Sequence, residues 1–137
     1  MSSALIRQIL GIKTAQAAPL PKAKDRMDVL ARQIAQIEGY TKTGTLADRQ
    51  ANPGNLRYVG QKNAVMGDKR FAKFNTHEDG WNALRNQIAL DASRNLNMEQ
   101  FIYKYAPPNQ NNTAAYLQQV LRAMNANPST KLSQAIK

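Results

Sequence analysis

The stretch IAQIEGY, residues 34–40, sets the reading of the whole chain. Around it, Met27, Leu30, Ala31, Ile34 and Ile37 recur every three or four residues, which predicts a helix over residues 25–37 with one apolar stripe. Gly39 and the TKTG that follows stop it, because glycine readily adopts the left-handed conformation that closes helices. Glu38 therefore falls four residues after Ile34, on the inward side of a helix that is running out. A carboxyl held against apolar neighbours loses solvation, its pKa rises, and it keeps its proton near neutral pH, as a general acid must. A glutamate that turns to water at the helix end is the competing reading.

Downstream lies RQANPGNLRYVGQ, residues 49–61. Residues 41–55 read as loop, with Pro53-Gly54 a turn. The runs 56–59 and 71–74 are β-prone and flank a Gly-containing loop, so they predict a small irregular hairpin. Thr76-His77-Glu78-Asp79 opens a helix carrying Trp81, Leu84 and Ile88. Asn97 caps another, with Met98, Phe101, Ile102 and Tyr105 inward, and Pro107-Pro108 ends it. A helix over 113–124 carries Tyr116, Leu117, Val120, Leu121 and Met124, and Ser129 or Thr130 opens a last short one reaching Ile136. The expected fold is mainly α (α+β), a helical domain with one β excursion after its first core helix.

At 137 residues, 42% of them apolar, the chain suits a single core-forming domain. No apolar run approaches the roughly 20 residues a membrane span needs. Nineteen Lys+Arg against nine Asp+Glu give a net charge of +10, which favours polyanionic surroundings such as nucleic acid, anionic lipid or an acidic cell wall. The cations run from Arg7 to Lys137 rather than in one block, so nucleic acid is expected only as a non-specific partner. Near the N-terminus, Ala15-Gln16-Ala17 looks like a cleavage site, yet Arg7 and Lys13 bracket an apolar stretch too short for a secretory signal. Ser3 instead caps a short amphipathic helix with Leu5, Ile6, Ile9 and Leu10. Residues 1–24 read as helix plus linker, a docking or attachment segment, and residues 25–137 as the working domain.

Asn52 and Asn55 flank the turn, and Arg57 follows; amides both donate and accept, which suits acetamido and hydroxyl groups of a sugar. Tyr40, Tyr58 and Tyr105 offer flat faces for sugar rings, although each could as well be core; Trp81 reads as core. With no cysteine and a lone His77 at a helix start, no metal or cofactor is expected.

The order EGY (38–40), QANPGNLRY (50–58), FAKFNTHEDGWNAL (71–84) and FIYKYAPPNQNNTAAYLQQV (101–120) resembles a family of phage and bacterial cell-wall hydrolases. It is similar to the lysozyme-like superfamily, in particular soluble lytic transglycosylases and goose-type lysozymes, over residues 28–135. The resemblance implies a lysozyme-like domain whose catalytic glutamate, here Glu38, ends the first core helix and faces a cleft beside the small β region. It places Asn52, Asn55, Arg57 and Tyr58 along that cleft, and Tyr105 and Asn111 at its closure. Arg57 would meet a carboxylate of the wall polymer or pair with a nearby acid; Asn111 would contact substrate or only shape its turn.

A glycosidase ordinarily pairs its acid with a second carboxylate. Asp48, Asp68, Glu78 and Asp79 are the candidates, and none has a pattern that assigns it the role. A lone acid suits a lytic transglycosylase acting on the bond between N-acetylmuramic acid and N-acetylglucosamine; with water as acceptor the same site is a lysozyme. The implied partner is the peptidoglycan glycan strand. The implied setting is a phage virion acting at the bacterial wall, with other virion proteins met through residues 1–24. An endolysin passing from host cytoplasm to periplasm, an inactive structural virion protein and a basic nucleic-acid-binding module are the alternatives.

Overall fold

The computed structural model describes residues 20–137. The short helix expected after Ser3, bearing Leu5, Ile6, Ile9 and Leu10, and most of the expected attachment segment lie outside the described residues. The first helix, α1 (Arg26–Ile37), is capped by Asp25, whose side chain accepts from the Asp28 amide at 2.8 Å. It closes as a Schellman turn: the Gly39 amide reaches Gln36 O and the Tyr40 amide Ala35 O, with Gly39 at φ +85°. A side chain at Gly39 would strain that backbone, so the glycine fixes where α1 stops and Glu38 is held.

The expected loop at 41–55 contains one turn of helix, α2 (Leu46–Arg49). Thr45 caps it by accepting from the Asp48 amide, and the Asp48 carboxylate accepts from the Gly44 amide at 2.8 Å. The spacing of Thr45 and Asp48 is itself a capping signal.

The hairpin pairs β1 (Ala64–Met66) with β2 (Ala72–Phe74), antiparallel, Val65 opposite Lys73, through a 3₁₀ turn at Asp68–Arg70. Its first strand is thus 64–66, and not 56–59 as the sequence led us to expect. Residues 56–58 flank the other side of β2, with one bridge at Arg57–Phe71 and the Ala72 amide donating to Leu56 O. The reason is local: the Asn52 side chain takes the Leu56 amide, so this run cannot extend a ladder.

Four helices complete the fold: α3 (His77–Ser93), α4 (Met98–Tyr105), α5 (Thr113–Met124) and α6 (Leu132–Ala135). Thr76 caps α3, and Asn97 and Gln100 cap α4 reciprocally. The last helix starts later than Ser129 or Thr130 because residues 130–132 first pair with Leu96 and Met98. Helix α1 packs chiefly on α5 and α3, and α4 on α5. Leu30, Ile34, Leu84, Ile88, Phe101, Ile102, Val120 and Met124 have essentially no solvent exposure between them. Each such side chain contributes about 1.5–3 kcal/mol relative to exposure. Ala51, Ala72 and Phe74 form a second cluster beneath the hairpin. The fold is mainly α with one small antiparallel sheet, and no described helix is long and apolar enough to cross a membrane.

Candidate active site

Glu38 is the C-cap of α1, still in helical conformation, with its side chain reaching the wall of a groove of about 520 Å³. The packing of α1 against α5 brings Tyr116 to it, and the Tyr116 hydroxyl donates to Glu38 Oε2 at 2.8 Å. The Asn55 side chain also hydrogen-bonds to the carboxyl. Burial raises the Glu38 pKa above its ordinary 4.5, and these two hydrogen bonds offset part of the rise. Burial and then the Glu38 charge keep the Tyr116 hydroxyl protonated far above its ordinary range, so it meets the carboxyl as a neutral hydroxyl.

The NPGN turn forms the facing wall. Asn55 adopts a left-handed φ of +47°, tolerated by asparagine, and its Oδ1 is buried without a hydrogen-bond partner among the described residues. Leaving an acceptor in that state costs about 1–3 kcal/mol. The Tyr105 hydroxyl donates to Gly54 O, locking α4 to the turn. A Cβ on Gly54 would lie 2.6 Å from that hydroxyl and 2.8 Å from Leu84 Cδ1, so only glycine fits. Burial, with the Glu38 and Asp91 charges behind it, pushes the Tyr105 hydroxyl well above its ordinary 10.0.

The groove thus brings together five of the expected residues: Glu38, Asn55, Arg57, Tyr105 and Asn111. Arg57 lies over the Phe71 ring, 5.2 Å from its centroid, and no carboxylate pairs with it among the described residues. Asn111 lines the groove while its amide also donates to Pro107 O at 3.1 Å. Leu56, Val59, Gln61 and Gln87 also line a separate, smaller hollow of about 260 Å³ against α3, which Lys62 and Asp79 border and Glu38 does not.

Two expectations fail. Asn52 faces away from the groove with no exposed surface; its amide donates to Leu56 O and Ala72 O and accepts from the Leu56 amide, all at 2.9 Å. It holds the turn to the sheet. Tyr58 is absent from the lining because side chains alternate along extended chain: Arg57 and Val59 face the groove, and Tyr58 packs beneath on the Ala51–Phe74 cluster. Tyr40 is likewise core, 2% exposed, its hydroxyl on His77 Nδ1 at 2.6 Å. Trp81 is core as expected.

Tyr116, Gln87 and Lys104 belong to the site although the sequence reading gave them no place there. Tyr116 stands in the quoted NNTAAY motif, which was the available signal. Of the other candidate carboxylates, Glu78 lines a separate hollow with Tyr40, His77 and Trp81, and the rest are engaged elsewhere. Asp48 closes its own loop, Asp68 pairs with Arg49, and Asp79 accepts from Asn63 and Thr76. Glu38 is the one carboxylate of the described residues that lines the groove. Comparison of the chain with protein-family models, curated proteins and solved structures finds no match, so its function is to be read from this site.

Proposed function

We propose that this chain cleaves the glycan strand of peptidoglycan between N-acetylmuramic acid and N-acetylglucosamine, as a lytic transglycosylase of lysozyme-like type with Glu38 as its single acid. The observation that carries the reading is a carboxyl with a raised pKa, opening on a groove that holds no second carboxylate. Two-carboxylate glycosidases need a partner within roughly 5–10 Å across the sugar. One acid is enough if the substrate supplies the rest.

In this mechanism Glu38 gives its proton to the bridging oxygen and the bond to C1 breaks. The muramic acetamido oxygen closes on C1, sharing the positive charge. The Glu38 carboxylate then takes the proton of the 6-hydroxyl, O6 displaces the acetamido oxygen, and Glu38 is reprotonated with a 1,6-anhydro ring formed. Water in place of O6 makes the same site a lysozyme. Tyr116 orients the carboxyl, Asn55 holds the facing wall beside it, and Tyr105 and Asn111 bound the groove. The motif order of the sequence supports the same assignment. It also favours a phage particle component, with residues 1–24 attaching it to other virion proteins.

The test is clearing of a peptidoglycan suspension by the protein and by Glu38→Gln. The wild type lowers the turbidity and the variant, folded to the same extent, does not. Equal inertness on walls from several sources would return the chain to the structural reading.

A further inference from the structure

Asp91, near the end of α3, has no solvent exposure, yet it faces two cations. Arg94 Nη1 lies 2.9 Å from Oδ1 and Lys104 Nζ 3.0 Å from the same oxygen, while Gln87 Nε2 donates to Oδ2 at 3.0 Å. One cation balances a buried carboxylate; the second leaves this cluster with one positive charge in excess. Of the two, only Lys104 lines the Glu38 groove, together with Gln87. Asp91 engages at most two of the three ammonium hydrogens, and the Lys104 side chain remains 45% exposed. A lysine tethered in this way gives up less rotamer freedom on binding than an untethered surface lysine does. Arg57, without a carboxylate partner, adds a second cation from the strand side. The groove therefore carries two cations against one acid, and that acid is the one burial disposes to stay neutral.

We propose that Lys104, fixed by Asp91 and seconded by Arg57, is a carboxylate-binding site within the groove, making the enzyme selective for glycan strands that carry free carboxylates over neutral ones. The proposal rests on the glycosidase reading for its substrate. Two sources present this chemistry on a wall strand: the lactyl group of a peptide-stripped muramic acid, and the acids of an attached stem peptide.

The experiment uses one strand preparation in three forms: peptide-bearing, stripped by an amidase to expose the lactyl carboxylate, and converted to neutral methylamides with carbodiimide and methylamine. Turnover is measured with wild type, Lys104→Met, Lys104→Arg and Arg94→Met, and retention of the same strands by co-sedimentation in a Glu38→Gln background. Wild type prefers a carboxylate form over the amidated one by about fivefold in KM, the upper end for a partly solvated ion pair. The preferred form, stripped or peptide-bearing, names the source. Lys104→Met brings the preference to about one, Lys104→Arg keeps it, and Arg94→Met, which removes the excess charge of the Asp91 cluster from outside the groove, lowers it part of the way. A Lys104→Met enzyme that slows alike on all three forms would reduce Lys104 to a structural ion pair and overturn the proposal. Strands retained with the carboxylate preference but never cut would remove the glycosidase reading and keep the site. Strands cut without any preference would do the reverse, and strands neither retained nor cut would end both.

Discussion

Replacing Asn52 by alanine tests whether that asparagine serves the fold or the substrate. Three hydrogen bonds at 2.9 Å disappear. At about 1 kcal/mol each they come to about 3 kcal/mol. Leu56 O retains the Ala72 amide and Ala72 O retains Gln50, but the Leu56 amide is left buried with nothing to donate to, which adds about 1 kcal/mol. The expected loss of about 4 kcal/mol corresponds to a melting point about 14 °C lower for a chain of this length. Urea unfolding followed by far-ultraviolet circular dichroism reads it as a lower midpoint at unchanged slope. The neighbouring Asn55→Gly is the contrast: glycine accepts the left-handed φ, the buried acceptor is removed, and stability holds while strand binding weakens. A loss below about 1 kcal/mol in Asn52→Ala, with strand binding impaired, would put Asn52 in the groove and refute the reasoning.

Three further outcomes follow from the same geometry. Tyr116→Phe removes a hydrogen bond that lowers the Glu38 pKa, so the alkaline limb of the pH–activity profile moves to higher pH; a limb that stays or falls contradicts the assignment. Because the folded Glu38 titrates above 4.5, the stability it contributes is full below that pH and is lost as pH rises through the raised folded value. Glu38→Gln, which cannot ionise, should melt with wild type in acid and above it at neutral pH, and a variant less stable than wild type at neutral pH would count against a desolvated carboxyl. A Cβ at Gly80 would sit 1.9 Å from Ala51 O and 2.8 Å from Pro53 Cδ, pushing the Asn52–Asn55 turn off α3. Gly80→Ala should cost about 3 kcal/mol or more in a denaturant melt and most of the activity, and a wild-type midpoint would show the turn to be more pliant than this packing implies.

The helices were legible because their information is local. Leu30, Ala31 and Ile34, and Tyr116 to Val120, repeat at helical spacing, and Asn97 with Gln100 writes a cap into four residues. Glu38 followed from the same periodicity plus Gly39. What escaped depends on partners distant in sequence. Asn52 and Asn55 are one residue type in one turn, and the carbonyl of Ala72 and the φ of Asn55 decide which amide turns inward. Tyr58 was lost to strand parity, which Arg57 fixes through its bridge to Phe71. Tyr116 fits the core stripe so well that its hydroxyl is informative only once α5 lies against α1. Lys104 and Asp91 come from two helices, and no spacing rule joins them.

The most direct measurement is the mass of the fragments released from defined peptidoglycan by wild type and by Glu38→Gln. The account predicts muropeptides from wild type whose reducing ends are lighter by one water than hydrolysed ends, and none from Glu38→Gln. Intact strands after wild-type treatment, or the same fragments from Glu38→Gln, would contradict it.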